Sequence, residues 1–302
     1  MFVSRKRGAD MVMEASASDG RWTSVALKDN FYQSSAFVPM SFALVTTQHE
    51  SGETGIGPHA LLAPFGITAP HSMLLISRGN SGTATNIRRT GYCALNYISY
   101  DPQRLQGVVA QGYPGQSLAD KQRANPYSLC DPPGDDAAAA ERPQIISEAC
   151  QIMECSWDRS IDIDSQLDGQ SDSAAAHFVL KIDRLLMDPA YVDAIDGGNT
   201  FPQMPIFYGF RADGEFWFAE HAKPFSVPIP KVEGQELQSV VYLANRIDAR
   251  LHFTDEACSK LTGVPRPFLK DVLKGIAAIA LEMDIQEIDL AALDRINAAR
   301  NA

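Results

Sequence analysis

Short apolar runs broken by glycine and proline divide the first two-thirds of the chain into many small segments. Residues 35 to 47, from Ser35 to Thr47, are rich in Val, Phe, Leu and Thr and predict a strand. The glycines between Gly52 and Gly57 predict a turn. Residues 60 to 67 and Ser72 to Ser77 predict two further buried strands, the second carrying Met73, Leu74, Leu75 and Ile76. Residues 83 to 90 suit one or two helical turns, and Tyr92 to Ile98 reads as another strand. Residues 101 to 125 have weak helical character. Residues 126 to 143, with Pro126, Pro132, Pro133, Gly134 and an alanine run, predict a surface loop. Strand signals resume from Ile145 to Trp157 and from His177 to Met187, flanking an acidic, polar stretch (Asp158 to Ser173) that fits a solvated hairpin connection. Ile206 to Phe210 and Glu215 to Ala219 flank Asp213-Gly214, a hairpin turn signal.

After Pro230 the period changes. Leu237 to Ile247 and Pro267 to Met283 repeat at helical spacing. In the second segment Phe268, Val272, Ile276, Ile279 and Met283 fall on one predicted face. Thr254, just before Asp255 and Glu256, predicts a helix cap. Many strands with few helices predict a mainly β fold with helical additions, a barrel rather than a doubly wound sheet. The expected organisation is a mobile tail over 1–22, a barrel domain over 23–231 with an inserted loop at about 101–143, and a small helical domain over 232–302. No internal repeat is visible.

Charge narrows the partners. The chain of 302 residues has a formal net charge of -11 and a pI near 5.0, so nucleic acid and anionic membrane are not expected as main partners. A basic pocket for a small anion remains compatible with that total. The five cysteines form no CxxC pair, which fits reduced thiols and gives no support to a zinc or iron–sulfur site. Arg5, Lys6 and Arg7 precede no apolar segment of the signal-peptide kind, so a cytoplasmic protein is the expectation. No GxGxxG follows a strand, and neither a G-x-S-x-G elbow nor a P-loop occurs.

The informative block runs from Phe37 to Tyr97. It holds Val45-Thr46-Thr47, a glycine turn and Ala63-Pro64-Phe65-Gly66. After the next strand come Ser77-Arg78, Thr83, Asn86-Ile87, Thr90-Gly91 and Leu95-Asn96. In order and approximate spacing this set resembles the flavin reductase-like, FMN-binding split-barrel family. That family shows a "VTT" strand, a turn, an "APFS"-like segment, a strand ending near Arg, a "DTxxNI" element and a "TGxxxxN" strand. The resemblance covers about residues 35 to 225. It implies a Greek-key split β-barrel holding FMN, or FAD, with Ala63, Pro64, Phe65, Gly66, Ser77, Arg78, Thr83, Asn86 and Arg88 as cofactor-binding residues.

Residue chemistry runs parallel to that implication. A phosphate needs hydroxyl, backbone N–H or Arg partners. Thr83 at the start of a short helix offers the first two, and Arg78 and Arg88 lie nearby in sequence. Ala63, Pro64 and Phe65 suit an apolar wall for a flat ring. Plainer roles are also open: Thr83 and Asn86 can cap a helix and close a turn, Arg88 and Arg89 can belong to a solvated face, and Asn96 can satisfy backbone groups at a strand end. His59 and His71 flank the ring segment, but no third ligand is spaced for a metal. Cys155 reads as a buried core thiol, and Phe216-Trp217-Phe218 as core or interface packing. The chain departs from the family pattern at Gly66 in place of Ser, at Leu61 in place of Asn, and at Ser81-Gly82 before Thr83.

The resemblance implies an FMN-dependent oxidoreductase. NAD(P)H would donate hydride to flavin, which would pass electrons to a small acceptor, to oxygen or to a partner monooxygenase. Members of the family are usually homodimers. No residue is assigned a catalytic role, because the flavin carries the hard chemistry. The alternative is a non-catalytic flavin- or haem-binding module that senses or delivers its cofactor. The segment from Phe253 to Ile279 faintly resembles the small helical C-terminal domain of light-independent protochlorophyllide reductase subunits.

Overall fold

The structure is a computed structural model that describes residues 22–112, 117–134, 141–167, 175–197, 200–210, 214–227 and 235–300. The expected tail apart from Trp22, the alanine run, part of the 158–173 connection and Asp213 lie outside the described residues. Two compact units emerge: one takes in the described residues up to Phe65 and from Ser72 to Lys223, the other Gly66–His71 and those from Pro224 on.

The first unit's elements run α1 (Phe31–Ser34), β1 (Met40–Ser41), β2 (Ala43–Gln48), β3 (Thr54–His59), β4 (Leu62–Gly66), β5 (Ser72–Ser77), α2 (Gly82–Thr90) and β6 (Tyr92–Tyr97). They continue with α3 (Pro102–Gly112), α4 (Leu118–Ala124), β7 (Leu129–Cys130), β8 (Ile145–Ile146), β9 (Gln151–Trp157), β10 (Ala176–Met187), α5 (Pro189–Gly197), β11 (Pro205–Phe210) and β12 (Phe216–Glu220). Seven strands form a curled antiparallel half-barrel in the order β3-β2-β6-β9-β10-β5-β4. A half-barrel with helical additions agrees with the barrel that the strand pattern predicts and with the split β-barrel that the resemblance implies.

The reason β2 reads as a nearly continuous apolar run is that both its faces are covered. Ala43 and Val45 join one core with Leu75, Leu95, Phe178 and Leu180, under Ala84 and Ile87 of α2. Phe42 and Leu44 join a second core with Ile98, Ile146 and Phe207, under Leu105 and Val108 of α3. Alternate side chains of one strand therefore feed two layers. Asn96 ties the sheet centre together: it donates to the Leu44 carbonyl (2.9 Å) and accepts from the Ile146 N–H (2.9 Å). The three-stranded sheet β1-β11-β12 adds an aromatic cluster of Phe42, Phe207 and Phe218, with Phe216 against Phe207 and Phe210.

Several expectations shift. The turn is confined to the residues before Thr54, where Gly52 has φ +85°. Gly55 and Gly57 lie inside β3; at Gly57 neighbouring side chains come too close for a Cβ, as shown below, whereas at Gly55 the nearest atoms would be 3.8 Å away. Ser35 to Thr47 is not one strand, since β1 pairs with β11 and β2 with β3 and β6. The surface loop of 126–143 contains β7, which pairs with β8. The bulge at Gly209 (φ +88°) also has a reason: a Cβ there would lie 2.2 Å from Gln33 Cβ of α1.

The second unit holds α6 (Gln235–Ala244), β13 (His252–Phe253), α7 (Asp255–Leu261), α8 (Arg266–Glu282), β14 (Glu287–Ile288) and α9 (Leu290–Arg300). Thr254 caps α7 by accepting from the Ala257 N–H, as its position predicts. The predicted face of α8 is corrected. Leu269, Leu273, Ile276, Ala277 and Ala280 are buried, Val272 and Ile279 only partly so, whereas Phe268 is 62% exposed and Met283 39%. Both stripes are apolar, so spacing alone does not choose between them. The core selects the one that meets Leu251, Phe253, Ile288 and Leu293.

Candidate cofactor site

The elements that build the site meet where β5 ends and α2 begins. Ser81 starts α2 because its hydroxyl accepts from the Ala84 N–H (3.0 Å), and Gly91 ends the helix in the left-handed conformation (φ +81°). Ser77 and Ser81 share a hydrogen bond of 2.8 Å, closing the turn around Arg78, Gly79 and Asn80. Arg88 reaches back to donate to the Gly79 carbonyl (2.6 Å), and its guanidinium lies 5.8 Å from the Phe178 ring centre.

Thr83, in the first turn of α2, is buried and lies 3.2 Å from His59 Nε2 at the end of β3. Gly57 makes that approach available: a Cβ on it would sit 2.5 Å from Thr83 Oγ1 and 3.1 Å from His59 Nε2. Burial, reinforced by the Arg78 charge, pushes the His59 pKa down to about 4. The imidazole is therefore neutral near neutral pH. With its proton on Nε2 it donates to the Thr83 oxygen, leaving the Thr83 hydroxyl proton to point at a third group.

Arg78 is exposed, and its guanidinium has no hydrogen-bond or ion-pair partner among the described residues. Its positive charge is felt by three groups from other elements: His59 of β3, Tyr32 of α1 and Lys121 of α4. Burial raises the Tyr32 pKa against the opposing pull of Arg78. Burial and then Arg78 lower that of Lys121. A locally cationic cluster, Arg78 with Lys121, thus stands on a chain with net charge -11. Its chemistry is that of an anion receptor: guanidinium, a presented hydroxyl and the N–H groups that open α2.

The other candidate residues divide. Asn86 is buried and donates to Thr47 Oγ1 (3.0 Å), joining α2 to β2. Ser77 is committed to Ser81, and Arg88 to the turn carbonyl and Phe178. Ala63, Pro64 and Phe65 lie exposed on the edge strand β4, and Gly66 ends it half-buried. The Ile76 N–H donates to the Leu61 carbonyl (3.0 Å), so β4 starts beside the end of β5 that carries Arg78. Tyr32 and Lys121 were invisible to sequence reasoning because each is far along the chain from the motif block.

No family model and no curated protein matches the chain. Solved structures are similar to it. One is the 2-nitrobenzoate 2-nitroreductase NbaA of Pseudomonas fluorescens, at 16% identity over 65% of this chain and 87% of that one, with a TM-score of 0.49. Nitrilotriacetate monooxygenase component B from Bacillus cereus is 16% identical over 70% of this chain and 98% of that one (TM-score 0.49). An FMN-binding protein from Thermus thermophilus is 13% identical over 68% and 98% (TM-score 0.47).

Proposed function

We propose that the chain is an FMN-dependent oxidoreductase of the flavin reductase kind. The observation that carries this reading is Arg78, whose guanidinium has no partner among the described residues, beside the His59–Thr83 pair at the start of α2. It falls within the ordered motif set from Val45 to Asn96. The residues fit a flavin phosphate: Arg78 supplies charge, Thr83 a hydroxyl, and α2 its opening N–H groups. Ala63, Pro64 and Phe65 supply an exposed edge against which the ring packs. Gly66 lies at the end of that edge. Ser77 and Arg88 fix the turn that presents Arg78, and Asn86 fixes α2 against the sheet.

The chemistry that bound FMN supplies is acceptance of hydride from NAD(P)H and onward electron transfer to a small acceptor, to oxygen or to a partner monooxygenase. This chain's residues bind and orient. His59, neutral, holds the Thr83 hydroxyl toward the phosphate. A homodimer belongs to the same reading, supported by exposed Leu185 on β10 and Val192 and Ile195 on α5. The domain division proposed is a flavin-binding barrel followed by a helical domain.

The test is the visible spectrum of the purified protein with FMN, then anaerobic NADH and NADPH. A bound-flavin spectrum that bleaches with one nicotinamide supports the reductase and names the donor. Binding without bleaching favours the non-catalytic sensor or carrier. Absence of any spectral change with FMN or FAD overturns the flavin reading.

A further inference from the structure

Residues 101–125 read as a weakly helical insertion, and the fold turns them into part of the site. Helix α3 lays Leu105 and Val108 on the sheet. Helix α4 follows, held by the buried Gln111 side chain, which donates to the Lys121 carbonyl (2.6 Å). Leu118 comes near β3: a Cβ on Gly55 would lie 3.8 Å from Leu118 Cδ1 and 4.0 Å from Asn86 Nδ2. Lys121 is three residues further along α4, so it shares the face that Leu118 turns toward β3 and α2. Its ammonium is half-buried and has no carboxylate partner among the described residues. The adjacent Asp120 is committed elsewhere, to Ser117 and Arg123. Arg78 and Lys121, on different elements, are near enough for the Arg78 charge to act on Lys121, and neither has a carboxylate partner among the described residues.

We propose that Lys121 is a second cationic ligand beside Arg78 for a doubly charged phosphomonoester, and that the pair makes the site select FMN over FAD and riboflavin. The inference rests on the flavin reading above. A terminal phosphate concentrates about two negative charges on one group. The diphosphate of FAD carries about one per phosphate, and riboflavin carries none. A site with two uncompensated cations at one place discriminates on that difference.

The experiment is fluorescence-quench titration of the full chain with FMN, FAD and riboflavin, for the wild type, Lys121→Gln and Lys121→Arg. Expected for Lys121→Gln is a loss of FMN affinity of about tenfold or more, the scale of one charge-assisted contact. FAD and riboflavin should change by less than about twofold, and Lys121→Arg should restore most of the FMN affinity. Unchanged FMN affinity in Lys121→Gln, or equal weakening of all three flavins, overturns the selective role while leaving the flavin reading intact. Failure of the wild type to bind any of the three overturns both.

Discussion

Gly57 is where backbone and site meet most closely. Any Cβ there would fall within 2.5 Å of Thr83 Oγ1 and 3.1 Å of His59 Nε2. Gly57→Ala should therefore separate that pair and cost about 1–3 kcal/mol of stability, the usual range for overpacking, read by urea denaturation. The same variant should weaken FMN binding. His59 gives a pH test. Its folded-state pKa, about 4, lies below the ordinary value of 6.5, so between those limits the unfolded chain binds a proton that the folded chain refuses. Stability is unaffected above about pH 6.5 and falls as pH drops toward 4, by at most ~3 kcal/mol from this group. Denaturant midpoints for His59→Gln should lack that component while the wild type shows it.

At the scale of elements, α2 carries its own start and stop signals. Ser81 caps it, and Gly91 closes it. Ser81→Ala removes the cap and the Ser77 partner together, and should destabilise the protein by about 1 kcal/mol. It should also loosen the turn that presents Arg78, so FMN affinity should fall with stability in the same titration. The strands of the half-barrel were legible because covered faces demand apolar runs, as from Ser72 to Ser77. The face of α8 was not, because two apolar stripes share Ile276 and only the neighbouring elements decide which is buried.

The whole molecule has separate cores. The helical unit's core centres on Leu273, Phe253, Ile288 and Ile296, and the barrel's on Leu75, Leu95 and Phe178. Leu273→Ala opens a cavity at a fully buried site and should cost about 2–5 kcal/mol within the helical unit. Calorimetry should show that loss in one transition, with FMN affinity unchanged. Among the described residues no helix is long and apolar enough to cross a membrane.

The sequence by itself determined where most strands lie and where α7 begins. Those are local matters: alternation, capping side chains and glycine turns act over a few residues. Only the tertiary structure decided that Arg88 secures the turn through the Gly79 carbonyl, that Asn86 reaches across to Thr47, and that Tyr32 and Lys121 stand near Arg78. Charge and hydrogen bonding act through space, and the distance along the chain between α1, β5 and α4 carries no record of how close the folded sheet brings them.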